Sequence, residues 1–176
     1  MDDKNIVAEF EKVSYEQFEK DWLDTFKNNE MVSEKSIIDI YNYIKKPRRA
    51  TIGSAGYDIY SPIDITIQPG QSIKIPTGLK CKIEDGWWLG IMPRSGHGFK
   101  YGLRVINTIG VIDGDYIHSD NEGHIFIKLI NDSAVGKLIK IPYGEAFAQG
   151  IFIPYGITKS DNVNTERNGG FGSTNK

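Results

Sequence analysis

From residue 50 onward the chain is cut into short apolar segments separated by glycine and proline: YDIYS, IDITI, QSIKIP, LKCKI, WWLGIM, LRVINT, GVID, HIFIKLI, GKLIKI and AFAQGIFIPY. Turn signals set their spacing, with PG at 69–70, EDG at 84–86 and YG at 143–144. This rhythm suits an antiparallel sandwich or barrel and leaves no room for the helices of βαβ units. HIFIKLI alternates as a half-buried strand does. The 19 glycines among 176 residues also weigh against a helix-dominated chain.

Before Pro47 the period changes. Ser14 followed by Gln17 fits a capping box, and Tyr15, Phe18, Trp22, Leu23 and Phe26 recur along one face, so the spacing predicts a helix over 14–28. A second start has Ser33 as cap, Val32 and Ile37 as a hydrophobic staple, and Ile37, Ile40, Tyr41 and Ile44 as the stripe, ending by Lys46. A short strand over 6–13 precedes both. The pair is expected to decorate the outside of the β structure and to add apolar packing through its aromatic stripe. The whole chain, 1–176, reads as one domain with a helical insertion at 14–45 and a flexible polar arm over 160–176.

The balance of 21 Lys+Arg against 23 Asp+Glu, net −2, excludes a dedicated nucleic-acid binder, whose basic residues cluster in excess. No window is apolar enough to span a membrane, and the start, MDDKNIVAEF, carries no export signal. The lone Cys81 forms no internal disulfide and has no zinc spacing, which points to a reduced, cytoplasmic setting.

Three glycine-containing clusters carry candidate chemistry. PRSG at 93–96 joins a guanidinium, a hydroxyl and an approachable backbone, equipment for gripping a phosphate without a helix. RNGGFGST at 167–174 embeds an aromatic among glycines, so that backbone N–H groups meet phosphate oxygens while Phe171 stacks on a flat ring. NTIGVIDGDY at 107–116 places Asp113 and Asp115 at an Asp-Gly turn, where a carboxylate is able to activate water. His97, His118 and His124 read as surface or turn histidines, and no HExxH or Ser/His/Asp set competes.

In order, SAGYDIYSP, PRSG, NTIGVIDGDY, GEAFAQ and RNGGFGST resemble the five motifs of the homotrimeric all-β dUTP diphosphatase (dUTPase) family, over about residues 47–176. The block FKYGLRVINTIGVIDGDYIHSDNEGHIFIKL is most similar to versions from Gram-positive bacteria and their phages. The resemblance implies a distorted β-barrel or jelly roll whose three copies share active sites. It also implies hydrolysis of dUTP to dUMP and pyrophosphate, assisted by Mg²⁺.

Carried over by motif, Asp113 is the general base for water attack on the α-phosphorus, and Tyr116 lies under the deoxyribose and rejects a 2′-hydroxyl. A hairpin over Asn107, Gly110 and Ile112 reads uracil through its backbone. Arg94, Ser95, Gly96 and Gln149 hold the phosphate chain, and Asp58 supports the metal through water. Arg167, Phe171, Gly172, Ser173 and Thr174 belong to an arm that closes over a neighbouring subunit's site.

Two departures stand out. The fourth motif has Ala146 and Phe147 where the family commonly carries a basic residue, for which Arg104 or Lys100 is a candidate substitute. Arg167 and Phe171 have three residues between them where many members have four. A dCTP deaminase of the same superfamily is the alternative enzyme, disfavoured because that family uses a glutamate base. A nucleotide-gated protein that binds a repressor is the alternative from another class.

Overall fold

A computed structural model describes residues 6–27, 36–165 and 167. In chain order the elements are β1 (Ala8–Lys12), α1 (Tyr15–Phe26), α2 (Ile37–Asn42), β2 (Arg48–Arg49), β3 (Tyr57–Tyr60), β4 (Ile65–Ile67), β5 (Ser72–Pro76) and β6 (Leu79–Ile83). There follow β7 (Trp87–Pro93), α3 (Ser95–Tyr101), β8 (Leu103–Val105), β9 (Gly110–Ile112), a 3₁₀ helix (Gly114–His118), β10 (Phe126–Asn131), β11 (Ile139–Ile141) and β12 (Ala146–Pro154). The protein is mainly β, as the segment rhythm predicts, with the jelly-roll-like fold that the resemblance implies.

All strand pairs are antiparallel. A five-stranded sheet runs β2-β3-β12-β7-β9, a three-stranded sheet runs β5-β10-β8, and the pairs β1-β6 and β11-β4 complete the set. Period-2 burial explains the core: Ile127 and Leu129 of β10 point inward with Ile73 and Ile75 of β5, while Lys128 and Lys74 point out. Asn131 is fully enclosed, and its amide donates to the Ile67 and Lys137 carbonyls at 2.8 Å each, which offsets the cost of burying it.

The aromatic stripe of α1 packs as expected. Phe18, Trp22 and Phe26 of α1 belong to the same buried cluster as the strands, with Trp22 only 1% exposed. Ser14 caps α1 by accepting from the Gln17 N–H at 3.2 Å, but the other half of the capping box is not local. The Ser14 N–H instead donates to Glu122, 108 residues away, at 3.0 Å. The cap of α2 is Ser36, and Ser33 lies outside the described residues. α2 also stops at Asn42, short of Lys46, because Lys12 of β1 donates to the terminal Tyr41 and Asn42 carbonyls at 2.8 and 3.3 Å.

Two expectations about local structure fail. PRSG does open a helix, α3, because Arg94 is extended, burial of His97 holds the turn in place, and Gly102 ends it in the left-handed region at φ 68°. The histidines are also not uniformly superficial: His97 is 8% exposed and His124 is 0% exposed. Cys81 is a buried free thiol, pushed up to about 12 by burial and then by Glu11. Among the described residues no helix is long and apolar enough to cross a membrane.

Candidate active site

The β7-β9 ladder lays out the site. Its register pairs Leu89 with Ile112 and Ile91 with Gly110. Gly110 is favoured here by close approach, since a Cβ would lie 3.1 Å from the Ile91 Cβ and Ile91 would have to give by a few tenths of an ångström. The stretch before it is not a hairpin: β8 pairs with β10 and β9 with β7, so residues 106–109 cross from one sheet to another. Thr108 makes the crossing at φ 67°, and the Ile109 N–H donates to the Asn107 carbonyl at 2.7 Å. A β-branched residue in that region costs about 1–3 kcal/mol, strain of the kind that collects at functional sites.

Beside this crossing lies a cavity of about 460 Å³, lined by Asn107, Gly110, Ile112, Tyr116, Phe126 and Arg167 among others. Tyr116 stands in the 3₁₀ helix and is 5% exposed. Its hydroxyl donates to the His124 carbonyl at 2.9 Å and accepts from the Asn121 amide at 3.0 Å. Burial raises the phenol pKa, more than the Asn121 hydrogen bond and the Arg167 charge lower it.

Asp113 precedes that 3₁₀ helix as its cap residue, so Asp-Gly starts a helix rather than a strand reversal. Arg167 bridges the two carboxylates, with Nη2 on Asp113 and Nε on Asp115, the latter at 2.9 Å. Its guanidinium also lies 5.8 Å from the Tyr116 ring centre. Within the single chain Arg167 therefore reaches the chain's own Asp113, despite the shortened spacing to Phe171. Phe171, Gly172, Ser173 and Thr174 lie outside the described residues.

A second cluster forms at the far end of β7. Asp58 of β3 pairs with Gln149 of β12, which pairs with Met92 of β7, so the three side chains share one face. Arg94 Nε donates to Asp58 Oδ1 at 3.0 Å, and Gln149 Nε2 donates to the Pro93 carbonyl at 3.1 Å. Arg94, Ser95, Gly96, His97, Lys100 and Glu145 line a cleft of about 390 Å³ there. Ser95 and Gly96 are exposed, and nothing lies within 4 Å of a Cβ built on Gly96.

Sequence reasoning missed two residues at this end, Glu145 and Arg48. Glu145 meets His97 at 3.2 Å, and Arg48 stands opposite Asp58 across β2 and β3. Lys100 was only one of two candidates for the missing fourth-motif charge; it lines the cleft, whereas Arg104 is paired with Asp132 at 2.8 Å. Ala146 and Phe147 are 5% and 0% exposed, so the fourth motif presents core side chains here. The signal for Arg48 was present in the basic run before the first motif, but only strand register shows which face it shares.

Among the described residues no three His, Cys, Asp or Glu side chains cluster to cage a metal. One carboxylate, Asp58, already paired with an arginine, fits an Mg²⁺ that keeps its waters and takes its other ligands from phosphates.

The two clusters are far apart in one chain. Arg94 lies five residues beyond Leu89, and Asp113 lies one beyond Ile112 in the opposite direction, six steps in all. At about 3.3 Å per residue they are roughly 20 Å apart along the sheet.

A jelly-roll-like fold carrying these motifs is that of a family of nucleotide hydrolases. Residues 42–175 match the dUTPase family model, and the chain belongs to that family. It is 42% identical over 134 residues to the deoxyuridine 5′-triphosphate nucleotidohydrolase of Lactococcus lactis, covering 74% of this chain and 88% of that one. The crystal structure of dUTPase from Streptococcus mutans superposes with a TM-score of 0.57 at 36% identity, over 65% of this chain and 88% of that one. A mutant dUTPase of S. aureus phage phi11, described with a coordinated structural Mg(II) ion, has a TM-score of 0.55 at 21% identity over 69% and 90%, a likeness of fold.

Proposed function

We propose that this chain hydrolyses dUTP to dUMP and pyrophosphate in sites assembled between copies of itself. The observation that supports it most directly is the position of Asp113, which follows the pocket-lining Ile112 of β9 and is paired with the pocket-lining Arg167, beside Tyr116 and Asn107. Uracil enters the pocket and is read by the backbone around Asn107, Gly110 and Ile112. Cytosine presents the opposite donor and acceptor pattern and leaves buried polar groups unpaired. Tyr116 lies beneath the deoxyribose and excludes a 2′-hydroxyl by contact.

Asp113 takes a proton from the water that attacks the α-phosphorus, and the bond from that phosphorus to the bridging oxygen breaks as pyrophosphate leaves. The groups holding the phosphates must act on the same triphosphate, within hydrogen-bond reach of about 2.6–3.2 Å. Arg94, Ser95, Gly96 and Gln149 lie too far from their own chain's Asp113 for that, so they serve the Asp113 of a neighbouring copy, and a homotrimer supplies three such sites. Asp58 would hold Mg²⁺ through water, and the ion would supply neutralisation of phosphate charge. Lys100 and Arg48 add positive charge in place of the absent fourth-motif base.

Arg167 leaves Asp113 and Asp115 for the phosphates when the arm closes, which frees Asp113 to act as base. Phe171 then stacks on uracil, and Gly172, Ser173 and Thr174 cover the phosphates. The test is pyrophosphate release from dUTP, UTP, dCTP and dTTP, with and without Mg²⁺, beside a sedimentation measurement of subunit number. Asp113→Asn is expected to keep dUMP binding and lower turnover on the order of 10²–10⁴. Ammonia released from dCTP would replace this reading with a deaminase.

A further inference from the structure

Helix α1 precedes the family-matched stretch, yet it holds the turn that fixes Tyr116. The hold has two points. At the helix start, Ser14 donates its N–H and its hydroxyl to the Glu122 carboxylate, at 3.0 and 2.5 Å. Two turns further on, Asp21 Oδ2 meets His124 Nδ1 at 2.6 Å. The other ring nitrogen, Nε2, accepts from the Gly78 N–H at 2.8 Å, so the proton that joins His124 to Asp21 sits on Nδ1.

The turn between these points is strained and closely packed. Glu122 is held at φ 57°, and Gly123 follows at φ 71°, where a Cβ would lie 2.6 Å from the Ile117 Cα and 2.9 Å from the Tyr116 carbonyl. The turn thus lies directly on the 3₁₀ helix that carries Tyr116. Its two ends, Asn121 and the His124 carbonyl, make the hydrogen bonds to the Tyr116 hydroxyl.

We infer that Asp21 is a positioning residue: through His124 it sets the height of the Tyr116 ring in the nucleoside pocket, and with it the rejection of ribonucleotides. The inference rests on the reading that Tyr116 lies beneath the sugar. Repulsion between a ring and a 2′-hydroxyl rises steeply with approach, so a small sag of the ring relaxes rejection of UTP and leaves dUTP nearly unaffected. Removing the Asp21 carboxylate leaves the enclosed Nδ1–H without its acceptor, and the His124 carbonyl then loses its fixed place.

The experiment compares the full-length protein with Asp21→Ala and Asp21→Asn, well below the melting temperature of each. The readouts are the dUTP to UTP ratio of kcat/KM and the dUMP to UMP ratio of affinity by calorimetry. Asp21→Ala should narrow both ratios by about tenfold while kcat on dUTP changes by less than about threefold. Asp21→Asn still offers an oxygen to Nδ1–H and should restore both to within about twofold.

A lower melting temperature with unchanged ratios would show Asp21 to be structural only and overturn the inference. If Asp21→Ala does not fold, Glu122→Gln, which weakens the other hold, should narrow the ratios in the same direction, and unchanged ratios there overturn it equally. If the parent protein binds uridine nucleotides without hydrolysing dUTP, the hydrolase reading fails. The affinity ratio then still decides the role of Asp21.

Discussion

Gly56 sits so close to Gln149 that a Cβ at position 56 would come within 2.5 Å of the Gln149 Oε1. The contact is with the end of a flexible side chain, so a methyl group there displaces Gln149 rather than breaking the sheet. Gly56→Ala is therefore expected to change stability by less than about 1 kcal/mol. A displacement of this size in a positioning group can cost up to about a hundredfold, so kcat/KM for dUTP should fall by one to two orders of magnitude. Thermal melting and steady-state kinetics on one preparation separate the two effects. Full activity in this variant would remove Gln149 from the phosphate site.

The burial of α1 gives a second expectation. Trp22 packs at a tilt against Phe18, at 5.2 Å, and Phe26, at 4.6 Å between ring centres, and is almost wholly enclosed. Trp22→Ala should lower the unfolding free energy by about 3–5 kcal/mol, measured from urea midpoints at constant m. A loss under about 1 kcal/mol is what an external decoration would give.

Acid should loosen the same region. Burial pushes the Asp21 carboxyl up, but hydrogen bonds from His124 and Gln17 outweigh it and hold Asp21 below its ordinary value. Glu122 behaves alike: burial raises it, and the two bonds from Ser14 with Lys80 bring it lower. Carboxyls depressed in the fold contribute stability that is complete above their unfolded values, about 4, and fades as pH falls through the folded ones. The melting temperature of the parent protein should exceed that of Asp21→Asn at pH 7, and the difference should shrink as pH drops below about 4. A difference that stays constant to pH 3 would show that the Asp21 charge contributes nothing.

The β rhythm after residue 50 and the aromatic stripe of α1 were legible because both arise from local periodicity and burial of one face. The motif order also led to Asp58, Arg94, Asn107, Asp113, Tyr116 and Gln149. What escaped depends on partners distant in sequence. Gln17 looked like the capping-box partner of Ser14, yet Glu122 takes that role from the other side of the molecule. SGHGFKY has poor helix propensity, and tertiary burial of His97 holds it in α3. His124 stands in a polar stretch, SDNEGH, where composition suggests exposure. The one sequence hint was Asp21, an acid beside Trp22 on the edge of an apolar stripe, with no basic residue three or four positions away along the helix.

The β7-β9 register has a further result for mixtures of chains. Because it sends Arg94 and Asp113 to opposite ends of one ladder, the proposed function requires each chain to carry fragments of different sites rather than one complete site. Two inactive variants, Arg94→Ala and Asp113→Asn, would then be complementary. Refolded together, some assemblies would bring an intact Arg94 from one chain to an intact Asp113 from another and recover activity that neither variant shows alone.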